Sequence, residues 1–201
     1  TDELYTDANL KGEPSEYVRS YGLGEHTTRL IKKFEIGGFS STINTACSSS
    51  SNAVMLGARL IKSGRLDRVI VGGSDALAKF AVNGFNALMI LSQNPCKPFD
   101  KNRDGLTLGE GAGYLVLEAE SVCQNKKKLA EVVGYGNAND AYHPSTTSEE
   151  AFGPCYAMQR ALDSSKLNVN QIDYINAHGT GTVNNDETEL FAFHKIFGEI
   201  P

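Results

Sequence analysis

A cysteine followed by three serines, Thr45-Ala-Cys-Ser-Ser-Ser50, separates a short extended stretch from an apolar helical run. This pattern predicts that Cys47 sits at a strand-to-helix turn. The open N–H groups and the dipole of the helix start favour a thiolate there. Thiolate is the nucleophilic form of cysteine, and the same N–H groups can receive an oxyanion formed on attack. A buried structural cysteine beside helix-capping serines fits the composition equally well. The second constellation is Asn176-Ala-His-Gly-Thr-Gly-Thr182. Its imidazole can donate a hydrogen bond to a carbonyl or act as acid or base. Its glycines allow a close backbone approach, and its threonine hydroxyls can bond a polar chain. A glycine-rich turn with a satisfied histidine is the plainer alternative. A phosphate cradle at Gly179-Thr-Gly181 lacks the full glycine spacing and the lysine that such loops carry. The third constellation, Pro98-Phe-Asp-Lys-Asn-Arg-Asp-Gly105 with Gly109-Glu-Gly-Ala-Gly113, reads as a hydrogen-bonded loop.

The positioning elements follow from periodicity. One or two short helices are predicted between Tyr17 and Glu35. Ser41–Asn44 reads as a strand, and Asn52–Ser63 as a helix apolar nearly all round, hence buried, with Gly64 beyond its end. Arg68–Val71 reads as a strand stopped by Gly72-Gly73, and about 82–91 as a helix. Tyr114–Leu117, Val132-Val133 and Ile172–Asn176 read as strands. Pro154–Ser164 is an amphipathic helix with Ala151, Cys155, Met158 and Leu162 on one face and Pro154 in its first turn. Asp186–Phe197 is a helix with Leu190, Phe193 and Phe197 inward, ended by Gly198 and Pro201. Strands alternating with helices indicate α/β layers with some parallel pairing. Ile43-Asn44 before Cys47 and Ile175-Asn176 before His178 form a weak internal echo, compatible with duplicated halves whose strand ends meet at one site.

The 201 residues suffice for one substantial α/β domain or two very small ones. Apolar residues at 40% and charged residues at 21% argue for a globular chain rather than long disorder. A net charge of −5 argues against a general nucleic-acid binder. No apolar run is long enough for a membrane span, and the N-terminal residues carry no secretion pattern. The four cysteines are far apart and do not cluster with the histidines. Zinc and disulfide frameworks are therefore disfavoured, and reduced thiols in the cytoplasm are expected.

Taken together, Thr45-Ala-Cys-Ser-Ser49, Pro98–Gly105, Gly109-Glu-Gly-Ala-Gly-Tyr-Leu-Val-Leu-Glu118, Asn139-Asp-Ala-Tyr-His143 and Asn176–Thr182 resemble the motifs of β-ketoacyl-acyl carrier protein synthases in order and spacing. The resemblance runs from about Ser41 to Pro201. It is nearest to the elongating type II enzymes and extends to polyketide ketosynthases.

The resemblance implies an α/β thiolase-like fold of two duplicated halves in α/β/α/β/α layers, usually a homodimer. Residues 1–118 would belong to the N-terminal half and 119–201 to the C-terminal half. It assigns Cys47 as the acyl-accepting nucleophile. His178 is assigned as the first of two histidines that assist malonyl decarboxylation. Thr180 and Thr182 would hold the phosphopantetheine arm of the acyl carrier protein, and Phe85 would lie where the acyl and malonyl sites join. Asn176 matches a position that helps ligate a structural monovalent cation in some members. Asp186 and Glu189 match acidic positions behind the site, although Asp-x-x-Glu at a helix start is also a capping pattern.

The implied reaction is decarboxylative condensation of acyl and malonyl carrier thioesters in fatty acid elongation, with no redox cofactor or catalytic metal. A polyketide or aryl-polyene ketosynthase is the alternative. Chain-length partners, which share the fold without condensing, and a carrier-binding scaffold are the others. The nucleophile cysteine counts against chain-length partners. Arg29, Lys32, Lys33 and Lys126–Lys128 are candidates for docking an acidic carrier. The family's second histidine, a lysine before it and a glycine-rich C-terminal loop have no match here, because His143 and His194 lie in the wrong contexts. Only 46 residues precede Cys47, fewer than in the family. The chain is therefore expected to be an internal fragment, inactive by itself.

Overall fold

The computed structural model describes residues 22–124, 126–143 and 146–201. These contain the helices α1 (Glu25–Phe34), α2 (Ser49–Lys62), α3 (Lys79–Ala87), α4 (Phe152–Ser165) and α5 (Val183–Phe197), and the strands β1 (Arg68–Asp75) and β2 (Gly111–Glu118). The expected helical stretch from Tyr17 lies partly outside the described residues; its remainder is α1. Two compact units form. One comprises the described residues up to Phe85 together with Gly109–Val122; the other comprises Asn86–Leu108 with Cys123–Pro201.

In the first unit β1 and β2 pair antiparallel, from Arg68 opposite Glu118 to Asp75 opposite Gly111. An Arg68–Glu118 ion pair closes one end. The helix α2 lies against this ribbon at Gly57. A Cβ there would stand 2.6 Å from Val71 Cγ1 and 3.0 Å from Val69 Cγ1. Only glycine permits so close a helix–sheet approach. The expectation that the whole of this helix is buried is not met. Only Asn52, Gly57 and Leu60 are buried on it, because a two-stranded ribbon covers one helix face. At its end Gly64 takes a φ of +69° and its N–H bonds Ile61 O, the cap expected of it.

In the second unit α4 and α5 pack through Ala151, Cys155 and Ala192, with Met158 and Ile196 alongside. Phe193 is buried as its spacing predicts, whereas Leu190 is exposed. The segment 134–137 runs along α4. Tyr135 N donates to Ser164 Oγ at 2.8 Å, and Ser164 Oγ donates to Tyr135 O at 3.0 Å. Gly136 lies so close that a Cβ would stand 2.0 Å from Ala157 O. Asp140 accepts hydrogen bonds from Ser148 N, Ser148 Oγ and Gly153 N, and so braces the start of α4 from outside the helix. Burial pushes the Asp140 carboxyl up, but these hydrogen bonds outweigh it and leave it below the ordinary value.

Three predicted strands are absent. Residues 41–44, 132–133 and 172–176 join no ladder. A strand is defined by its hydrogen-bonded neighbour, and these segments have none among the described residues. Among the described residues the expected parallel pairing reduces to isolated bridges, while the β1–β2 ladder is antiparallel.

Candidate active site

Cys47 lies in the first unit, two residues ahead of α2, and is exposed. A web of hydroxyls shapes its turn. Ser48 Oγ donates to Thr45 O at 2.8 Å, Ser49 Oγ donates to Ala46 O at 2.7 Å, and Thr45 N donates to Ser49 Oγ at 2.9 Å. Asn52 Nδ2, buried in the first turn of the helix, donates to Thr45 Oγ1 at 2.7 Å. The serines after the cysteine therefore close the turn backward rather than cap the helix, which has no side-chain cap bond. Ala46 has a φ of +51°. A left-handed alanine costs about 1 kcal/mol or more, and here it stands immediately before the cysteine. Phe85 is half-buried on α3 in the same unit.

The other candidates gather in the second unit around the turn 178–182. Two carboxylates of α5, three positions apart and therefore on one helix face, hold its amides. Glu189 accepts from His178 N at 2.6 Å and from Gly179 N at 2.9 Å. Asp186, 1% exposed, accepts from Gly181 N at 3.1 Å with one oxygen and from Phe99 N at 2.7 Å with the other. The helix begins at Val183, so Asp186 lies past its N-cap and Glu189 beyond that. Their geometry is a latch on the preceding turn, not a capping box. Thr180 Oγ1 and Thr182 Oγ1 are 2.8 Å apart and hydrogen-bonded. One hydroxyl donates to the other, so the acceptor's own proton remains to be donated outward. His178 is exposed, as is Asn176.

Both glycines of the turn are required by geometry. Gly179 and Gly181 have φ of +55° and +72°. A Cβ on Gly181 would meet Cys96 Sγ at 2.7 Å and Gly105 O at 2.8 Å; one on Gly179 would meet Pro98 at 3.3 Å. The close backbone approach predicted for these glycines is thus made by the protein's own 96–105 loop. That loop is hydrogen-bonded as its composition suggests. Gly105 N donates to Gly181 O at 3.0 Å, and Cys96 Sγ to Thr180 O at 3.2 Å. Asp104 accepts from Ser92 Oγ at 2.6 Å and from Asn94 Nδ2 at 3.1 Å, and these bonds hold its carboxyl below the ordinary value. Phe99 has a φ of +62°, an unusual conformation for a bulky residue.

Family models match on both sides of this arrangement. The β-ketoacyl synthase N-terminal domain matches residues 26–122, and the β-ketoacyl synthase C-terminal domain matches 129–201. The chain belongs to the β-ketoacyl synthase family.

A curated relative named nodulation protein E, from Rhizobium leguminosarum bv. trifolii, is 41% identical over 160 residues, covering 78% of this chain and 39% of the relative. The 3-oxoacyl-[acyl-carrier-protein] synthase 2 of Staphylococcus aureus is 38% identical over 163 residues, 77% of this chain and 40% of its own. The solved ishigamide ketosynthase/chain length factor superposes with a TM-score of 0.94 at 32% identity, covering 100% of this chain and 51% of that one. The chain therefore spans about two-fifths to half of the length of these relatives and has their thiolase-like fold.

Asn176, the position expected to help ligate a monovalent cation, is exposed. Among the described residues no group of three or more His, Cys, Asp or Glu side chains gathers as a metal site. Sequence reasoning missed Phe99 and Arg103 as parts of the turn's support. Their partners on α5 lie more than 80 positions away, beyond the reach of any local spacing rule.

Proposed function

We propose that this chain supplies the acyl-accepting cysteine and the first histidine of a β-ketoacyl synthase. The observation that carries the reading is Cys47, exposed on a strained turn at the head of α2 in a family named for this chemistry. The Cys47 thiolate attacks the carbonyl of an acyl carrier thioester and expels the carrier's sulfur as a thiolate. The malonyl thioester then loses its carboxylate as carbon dioxide, and the electron pair of the broken C–C bond becomes an enolate. His178 donates a hydrogen bond to the enolate oxygen. The enolate carbon attacks the acyl–Cys47 carbonyl and releases Cys47, giving a β-ketoacyl thioester.

The spare hydroxyl proton of the Thr180–Thr182 pair serves the pantetheine arm, and Phe85 borders the acyl chain. Asn176 acts in support, while Asp186 and Glu189 hold the turn. Residues 1–118 and 119–201 are the portions contributed to the two thiolase-like halves of a cytoplasmic homodimer whose partner is an acyl carrier protein. The likeness to a ketosynthase/chain length factor assembly favours a polyketide-type product as the second reading. Incubating the intact protein with acyl and malonyl carrier thioesters tests both, since product chain length separates them. His178→Ala should lower carbon dioxide release by about 10²–10³-fold while leaving Cys47 acylation detectable. Release at the wild-type rate would remove His178 from the mechanism.

A further inference from the structure

We infer that Arg103 is a positioning residue whose guanidinium fixes the His178–Thr182 turn by bridging the 98–105 loop to the first turns of α5. The inference rests on the reading of His178 above. Its ground is geometric. Arg103 is 13% exposed, hydrogen-bonds three partners and faces a fourth. Nη1 donates to Asp100 O at 3.2 Å, within its own loop. Nη2 donates to Val183 O at 3.1 Å and to Glu187 Oε1 at 3.0 Å, both on α5. Nε faces the buried Asp186 carboxylate at 3.8 Å, too long for a hydrogen bond but close enough for direct charge attraction.

Asp186 is the acceptor that holds Phe99 N and Gly181 N together. Phe99 belongs to the same loop as Arg103, in its unusual left-handed conformation, and its ring edge lies against Gly179. The guanidinium therefore has two functions. It neutralises the carboxylate that both amides need, and it closes the loop on which Phe99 is strained. A planar fork can bridge these partners together, whereas a lysine ammonium cannot. The arm to Glu187 is the weakest part, because that carboxylate is 69% exposed and exposed pairs contribute little.

The test compares Arg103→Met, Arg103→Lys and Glu187→Gln in the intact protein by amide hydrogen exchange, with turnover measured alongside. Both Arg103 variants should speed exchange at least tenfold in peptides containing Phe99 and Gly181, with α4 peptides covering 155–164 unchanged. Glu187→Gln should change it less than threefold. In turnover the Arg103 variants should lose at least tenfold in carbon dioxide release, while Cys47 acylation stays within threefold. Unchanged exchange at Phe99 and Gly181 would overturn the inference. So would a uniform rise across the unit, or failure of both variants to fold, since either would make Arg103 a general stabiliser. Should the wild-type protein show no condensation, the functional reading fails while the exchange comparison still decides the positioning.

Discussion

Asp186→Asn changes almost no volume, yet it removes the acceptor arrangement at the centre of the turn. The carboxylate uses one oxygen for Gly181 N and the other for Phe99 N, and it is 1% exposed. An amide has one oxygen, so its NH2 must confront one of these two donors. An unsatisfied buried donor costs about 1–3 kcal/mol. The Arg103 guanidinium also loses its facing charge. Full rupture of a buried pair costs about 3–5 kcal/mol, but Arg103 keeps Val183 O, Asp100 O and Glu187, which offset part of this. The combined loss is about 3 kcal/mol, a roughly hundredfold fall in the folded-to-unfolded ratio and a large share of a typical ~5–15 kcal/mol stability. Urea titration of wild type and variant, followed by circular dichroism, measures it as a lower midpoint at unchanged slope. A midpoint shift equivalent to less than about 0.5 kcal/mol, the range of inert surface changes, would refute the latch.

Gly181→Ala should lose about 3 kcal/mol in the same titration, from a left-handed alanine and forced movement of Cys96 and Gly105. Gly84→Ala should instead gain about 0.5–1 kcal/mol, since it lies inside α3 with nothing within 4 Å of the added methyl. Asp140 and Asp104 both sit below the ordinary carboxylate value of 3.8. Depressed values mean that their contribution is present above that pH and is lost as the pH falls through the folded-state values. Thermal melts should show this acid loss, reduced in Asp140→Asn. Limiting iodoacetamide should label Cys47 first and Cys155 last, because Cys155 is buried and desolvation raises its thiol, with only partial opposition from Lys195. Peptide mapping by mass spectrometry reads the order.

Helices were the legible part of the fold. The predicted Asp186–Phe197 helix starts three residues earlier, at Val183, and the predicted Asn52–Ser63 helix starts at Ser49 and ends at Lys62. Their apolar spacing is a local property and needs no partner to be read. Strands were half legible. Arg68–Val71 and Tyr114–Leu117 find each other and lengthen, whereas Val132-Val133 and Ile172–Asn176 carry similar β-branched residues without a ladder. Pairing is non-local, so composition alone cannot supply it.

The Gly-Thr-Gly-Thr turn was visible as a motif, but its purpose in folding was not. The glycines accommodate the 96–105 loop, and Asp-x-x-Glu holds amides behind the helix start rather than in a capping box. Both patterns share one sequence signature, and only the position of Val183 as first helical residue separates them.

In the proposed mechanism Cys47 carries the acyl chain. The most direct measurement mixes the intact protein with an acyl carrier thioester, quenches it and maps the peptides by mass spectrometry. One acyl mass increment is expected on the peptide bearing Cys47, discharged on adding malonyl carrier thioester and absent in Cys47→Ala. Acyl mass on another residue, or β-ketoacyl product from Cys47→Ala at the wild-type rate, would contradict it.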